Sequence, residues 1–214
     1  MVWAVLFLKL VATPYLAPQA VETEIDSCRI AVLGDSLTAG YGLELDESFP
    51  SQLERALDGD GFDCTVLNAG VSGDTSYGGL SRLDWVLADK PSHVIIELGA
   101  NDGLRGRPVD QLEENLDKIL TRLDEQDIPA LLTGMLAPRN FGKSYTDAFA
   151  AVYPRLAERH GVPLYPFFLE GVAAVPELNL PDGIHPTAEG ISKIVNGIMP
   201  LVTCWLNENC SATG

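Results

Sequence analysis

Five short apolar runs, at residues 29–33, 63–67, 93–98, 129–135 and 162–165, punctuate the chain, and segments of helical periodicity separate them. Each run has the length of a buried strand. Residues 49–58 read as a helix, with Ser48 as its cap and Pro50 in its first turn. Thr75 or Ser76 caps a second helix that reaches about Ala88, with Leu80, Leu83 and Leu87 on one face. The third, 109–126, carries Val109, Leu112, Leu116, Ile119, Leu120 and Leu123 at helical spacing. A fourth spans 146–160 and is expected to kink at Pro154. The last starts from Thr187, with Ile191, Ile194, Val195, Ile198 and Val202 as its core stripe and with Gly197 and Pro200 expected to weaken its end.

Regular alternation of this kind implies an α/β fold: a parallel sheet with helices on both faces and right-handed crossovers. The expected architecture is a three-layer α/β/α domain with a five-stranded parallel sheet in the flavodoxin-like order 2-1-3-4-5. Open sheets of this class place their chemistry at the carboxyl edge. The loops after the first, second, third and fifth runs all open at that edge.

Length and composition bound the rest. The 214 residues, 46% hydrophobic, suit one domain over 28–214, preceded by an apolar segment over 1–27. A formal net charge of −16 speaks against nucleic acid and against anionic lipid, because both need a basic footprint. The first twenty residues resemble a secretory signal, with Ala17 and Ala20 as small residues for cleavage, although Lys9 interrupts the apolar stretch. The competing reading is a retained amphipathic segment that touches the domain or a membrane. Pro14 and Pro18 make a membrane-spanning helix a poor fit. Cys28 and Cys64 fall at the amino ends of two neighbouring strands, within disulfide reach, and Cys204 and Cys210 enclose a short loop. The expected pairs are Cys28–Cys64 and Cys204–Cys210, which would suit a periplasmic or secreted protein. None of these cysteines has Cys or His neighbours at metal-ligand spacing, so no zinc site is expected, and nothing else in the sequence implies a metal or organic cofactor.

Chemistry concentrates in the loops. Gly34-Asp35-Ser36-Leu37-Thr38-Ala39-Gly40 places the Ser36 hydroxyl at the end of the first run. Of the three histidines, His93 begins a strand and His160 ends a helix, and both read as structural. His185 lies in Pro181-Asp182-Gly183-Ile184-His185-Pro186, where one turn of chain aims the Asp182 carboxylate at the imidazole. Such a pair fixes the tautomer and stabilises the imidazolium of a base that acts on a serine. Gly73 offers a backbone N–H with no side chain in the way, and Asn101 offers an amide NH₂. Each has an ordinary alternative: turn-forming Ser, a capping Asp/His turn, a tight Gly turn and an Asx turn. Together on one sheet edge they form the set that acyl transfer needs.

On these residues the chain resembles the SGNH (GDSL) hydrolases, and within them the bacterial arylesterase, thioesterase I and lysophospholipase L1 subfamily. Gly34-Asp35-Ser36-Leu37, Ser72-Gly73-Asp74-Thr75-Ser76, Gly99-Ala100-Asn101-Asp102-Gly103-Leu104-Arg105-Gly106 and Asp182-Gly183-Ile184-His185-Pro186 match the family's blocks in order. The resemblance implies the SGNH hydrolase fold and a serine esterase. Ser36 would be the nucleophile, His185 the base and Asp182 its acid. The Ser36 and Gly73 N–H groups and the Asn101 side chain would form the oxyanion hole. Asp35, Asp74 and Asp102 read as loop-stabilising.

Loops 102–107 and 136–145 would line an acyl groove, with Leu104, Leu136, Phe141 and Tyr145 against an apolar acyl or aryl group. The expected substrates are small carboxylic esters of short to medium chain length, with thioesters and lysophospholipids as secondary ones. One rival is a carbohydrate acetylesterase on the same fold. Another is a flavodoxin-like binding module without turnover. An α/β-hydrolase of the G-x-S-x-G kind fits less well, because the second glycine is missing after Ser36.

Overall fold

A computed structural model describes Met1 and residues 28–207 of the chain. Among them, β1 (Cys28–Gly34), β2 (Cys64–Gly70), β3 (His93–Glu97), β4 (Ala130–Thr133) and β5 (Leu164–Tyr165) form one sheet in the order β2-β1-β3-β4-β5. All four pairings are parallel. The central strands have no solvent face: Ile30 to Leu33 and Val94 to Ile96 are fully buried, which is why they read as unbroken apolar runs. β2, at the sheet edge, alternates instead, with Cys64 and Val66 buried around an exposed Thr65.

Register brings the carboxyl ends level. Gly34 lies opposite both Gly70 and Glu97, so the loops after β1, β2 and β3 leave the sheet side by side. At the other end Cys28 faces Cys64 with 4.5 Å between Cα atoms, and the two form the expected disulfide. The proposed partner of Cys204, Cys210, lies outside the described residues.

Nine α-helices occur among the described residues: α1 (Ser36–Ala39), α2 (Phe49–Gly59), α3 (Ser76–Ser81), α4 (Leu83–Leu87), α5 (Ala100–Leu104), α6 (Val109–Asp124), α7 (Lys143–Ala150), α8 (Val152–His160) and α9 (Ala188–Leu206). α2 and α9 pack together as one layer, while α3, α6, α7 and α8 pack in series as the other. No helix among the described residues is long and apolar enough to cross a membrane.

Three helices depart from expectation. The segment read as one helix to Ala88 breaks at Arg82, whose guanidinium bonds Asp74 at 2.6 Å and the Gly34 carbonyl at 2.8 Å. The helix read as 146–160 starts earlier, at Lys143, and divides at Ala151. Pro154 therefore falls in the first turn of α8, and the interruption expected of it lies just before it, since it has no N–H for the Ala150 carbonyl one turn back. α9 runs on through Gly197 and Pro200 to Leu206. Burial of Met199, Val202 and Trp205 sustains it, and Gly197 leaves room for the Tyr165 hydroxyl, which a Cβ would meet at 2.6 Å.

Candidate active site

Ser36 is the first residue of α1, immediately beyond β1. Asp35 caps this helix by accepting a 3.0 Å bond from the Leu37 N–H through Oδ1. The tight exit requires bare backbone: a Cβ on Gly70 would strike the Ala39 N at 2.3 Å. Thus the sharp turn at the sheet edge follows from small residues in both neighbouring strands.

The segment before α9 brings in the partners. Gly183 takes a left-handed φ of 75°, and Asp182 Oδ1 accepts from the N–H groups of Ile184 (3.0 Å) and His185 (3.1 Å). Its second oxygen meets His185 Nδ1 at 2.7 Å, and His185 Nε2 lies 2.9 Å from Ser36 Oγ. The backbone bond from Ile184, then the bond to His185, hold the Asp182 carboxyl down at about 2. It therefore stays ionised through neutral pH. The Tyr41 ring lies 4.4 Å from the His185 ring, centroid to centroid.

Gly73 and Asn101 arrive from the loops after β2 and β3. Gly73 has φ 87°, a conformation that favours glycine. Asn101 Nδ2 donates to Asp35 Oδ2 at 3.0 Å. Arg105 donates to the Gly73 carbonyl at 2.9 Å and approaches Asn101 Oδ1 at 3.4 Å. Nearby, Asp74 pairs with Arg82, and Asp102 accepts from both the N–H (2.8 Å) and the hydroxyl (2.7 Å) of Ser76. These bonds tie the second and third loops together. His93 and His160 lie elsewhere: His93 packs edge-on to Trp205 and Ser92 Oγ is 2.9 Å from its Nδ1, while His160 Nε2 is 2.8 Å from Asp117.

Ser36, Gly73, Asn101 and His185 open on a single groove of about 970 Å³. Leu104 and Leu136 line it, with Met135 and Pro138 alongside. Phe141 and Tyr145 do not, contrary to the sequence reading. They brace the back of the 102–107 loop: the Tyr145 hydroxyl donates to the Arg107 carbonyl at 2.7 Å, and a Cβ on Gly106 would meet the Phe141 ring at 2.5 Å. The physical reason is α7, which begins at Lys143 and stacks Tyr145 between Phe141 and Phe149. The groove's further lining comes from Phe167, Leu169, Ala173 and Ala174, in a stretch without periodicity that sequence reasoning passed over. Asn179 secures that stretch by donating to the carbonyls of Val172 (2.7 Å) and Val175 (2.8 Å).

Glu97 was also missed. It is fully buried at the end of β3, and its Oε2 accepts from the Thr38 hydroxyl (2.9 Å) and the Asp35 N–H (3.3 Å). Oε1 has no hydrogen-bond partner among the described residues. Burial, and then the charge of Asp35, push this carboxyl well above the usual range. Burial likewise raises Asp35, to about 6, against the opposing bonds from Leu37 and Asn101. A charged residue closing an apolar run was the available signal. Among the described residues, no group of three or more His, Cys, Asp or Glu side chains is arranged to hold a metal ion.

The arrangement is suited to drawing a proton from a serine hydroxyl and to stabilising charge that develops beside it. Known proteins point the same way. Residues 32–191 match the sequence model of a family described as GDSL-like Lipase/Acylhydrolase. An arylesterase of Vibrio mimicus is 45% identical over 162 residues, covering 75% of this chain and 81% of that protein. The thioesterase 1/protease 1/lysophospholipase L1 of Escherichia coli is 38% identical over 178 residues, covering 83% of this chain and 80% of its own. The crystal structure of AlinE4, an SGNH-hydrolase family esterase, superposes with a TM-score of 0.71 at 46% identity, over 83% of this chain and 96% of that one.

Proposed function

The chain belongs to the GDSL-like lipase/acylhydrolase family and is an ester hydrolase, and from that premise we propose that it cleaves short- to medium-chain carboxylic esters, aryl esters included, through an acyl-enzyme on Ser36. The observation that carries this reading is the continuous relay from Ser36 Oγ through His185 to Asp182, open to an apolar groove.

In the first half-reaction His185 Nε2 takes the Ser36 proton as Oγ attacks the ester carbonyl. Asp182 keeps the Nδ1 proton in place and offsets the charge of the imidazolium. The N–H groups of Ser36 and Gly73 and the Asn101 NH₂ receive the oxyanion. His185 then hands its proton to the departing alcohol. A water repeats the sequence on the acyl-enzyme and releases the acid. Every proton has a carrier among these side chains, and the cycle needs no cofactor.

Leu104 and Leu136 favour an apolar acyl group, and the methyl-sized Ala173 and Ala174 leave width within the groove. Thioesters and lysophospholipids are secondary substrates on this reading, in line with the name of the Escherichia coli relative. The Cys28–Cys64 disulfide supports an oxidising compartment, the periplasm or the outside of the cell. Hydrolysis of p-nitrophenyl esters from acetate to palmitate tests the proposal. A maximum at short or medium chain length is expected. Acetate-only activity extended to acetylated glycans would replace it with a carbohydrate acetylesterase, and hydrolysis at no chain length would overturn it.

A further inference from the structure

We propose that Asp35 and Arg105 are positioning residues that hold the Asn101 amide with its NH₂ turned toward the groove. The inference rests on Asn101 being an oxyanion donor. A carboxamide ends in two groups of nearly equal size, one an acceptor and one a double donor. Sterics alone therefore cannot choose which of them faces a substrate, and the wrong choice would set an oxygen against the oxyanion.

Here both ends of the amide are specified. Nδ2 gives one of its hydrogens to Asp35 Oδ2 at 3.0 Å, and Oδ1 faces the Arg105 guanidinium at 3.4 Å. Rotating the amide by half a turn would press its oxygen on a carboxylate and its NH₂ on a cation. The second Nδ2 hydrogen is left for the substrate. Asp35 is itself fixed, because its other oxygen accepts from Leu37 N, one residue beyond the nucleophile. The same Arg105 nitrogen also donates to the Gly73 carbonyl, so one cation ties the two donor-bearing loops. Asp35 is pushed up to about 6 by burial, so at pH 8 it is an ionised acceptor.

Asp35→Asn discriminates well. With Leu37 N still requiring an acceptor, the new NH₂ must face Asn101 Nδ2, donor against donor. At pH 8, with p-nitrophenyl butyrate, Asp35→Asn is expected to lower kcat about 10²-fold with KM little changed, the size of one lost oxyanion donor. In an Asn101→Ala background the same substitution should cost less than about threefold, because it acts through a group no longer present. Arg105 is exposed, so Arg105→Met preserves the fold and serves if Asp35→Asn does not fold. Its kcat loss, about fivefold, should shrink in the Asn101→Ala background. Losses that multiply in both double variants overturn the inference while leaving the esterase reading intact. An Asn101→Ala enzyme with unchanged kcat overturns the oxyanion role of Asn101 itself, and the inference with it.

Discussion

Replacing Asp182 by Asn tests how the base is held. The substitution changes one atom and keeps the shape. Asp182 Oδ1 is committed to two backbone N–H groups, those of Ile184 and His185. An Asn at this position must keep its oxygen there, which turns its NH₂ toward His185 Nδ1. The ring then accepts at Nδ1 and carries its proton on Nε2, facing Ser36 Oγ across 2.9 Å. It can no longer take the serine proton. A fully enforced wrong tautomer costs about 10⁴ in kcat in a buried triad. The Asp182 side chain is 38% exposed, so water competes for Nδ1, and the expected loss here is about 10³-fold. Initial rates with p-nitrophenyl butyrate measure kcat, and thermal melting supplies the control. The turn keeps its backbone bonds but loses the charge they favour, so Tm should fall by less than about 5 °C. A kcat loss below about tenfold in the folded variant would refute the tautomer argument.

Two further predictions concern the frame. Glu97 is raised far above its ordinary value. The folded state therefore holds a proton that the unfolded chain releases above its own carboxyl value, so this contribution to stability is complete at low pH and falls as pH rises toward the folded value. Glu97→Gln keeps an acceptor for Thr38 and removes that titration, so its Tm should decline less between pH 5 and pH 8 than that of the parent protein; parallel Tm–pH curves would contradict the upward shift of Glu97. The Cys28–Cys64 bridge spans 36 residues of sequence, which corresponds to about 4 kcal/mol of lost unfolded-state entropy. The double Ala variant should melt about 10 °C lower with activity at 25 °C intact, since the bridge sits at the opposite end of β1 from Ser36; a shift under about 2 °C would contradict it.

Much of this molecule was legible in its sequence because the local and global signals agree. β1 and β3 are buried on both faces, so their apolar runs were unmistakable. Alternation gave the parallel α/β class, and the strand order followed from the common flavodoxin-like arrangement of that class. Small residues at the sheet edge marked the loops that carry Ser36, Gly73 and Asn101. What stayed hidden was set by tertiary contacts. Arg82 leaves the helix because Asp74 and the Gly34 carbonyl draw its guanidinium, and no local pattern announces that. Phe141 and Tyr145 have the right chemistry for an acyl wall, yet an early start to α7 turns them onto Gly106 and Arg107. Ala173 and Ala174 line the groove from an aperiodic stretch, where a count of apolar spacing has nothing to detect. Glu97 looked like the end of a strand, and only the register of Gly34 against it reveals a buried acid beneath the nucleophile's turn.

The central claim is that Ser36 forms a covalent bond during turnover. Treating the protein with a fluorophosphonate and mapping the adduct by peptide mass spectrometry tests it most directly. The account predicts one adduct, on Ser36, with activity lost in proportion to labelling, and no label or turnover in Ser36→Ala, whose kcat should fall at least ~10⁴-fold. Stoichiometric labelling elsewhere with activity retained, or undiminished hydrolysis by Ser36→Ala, would contradict it.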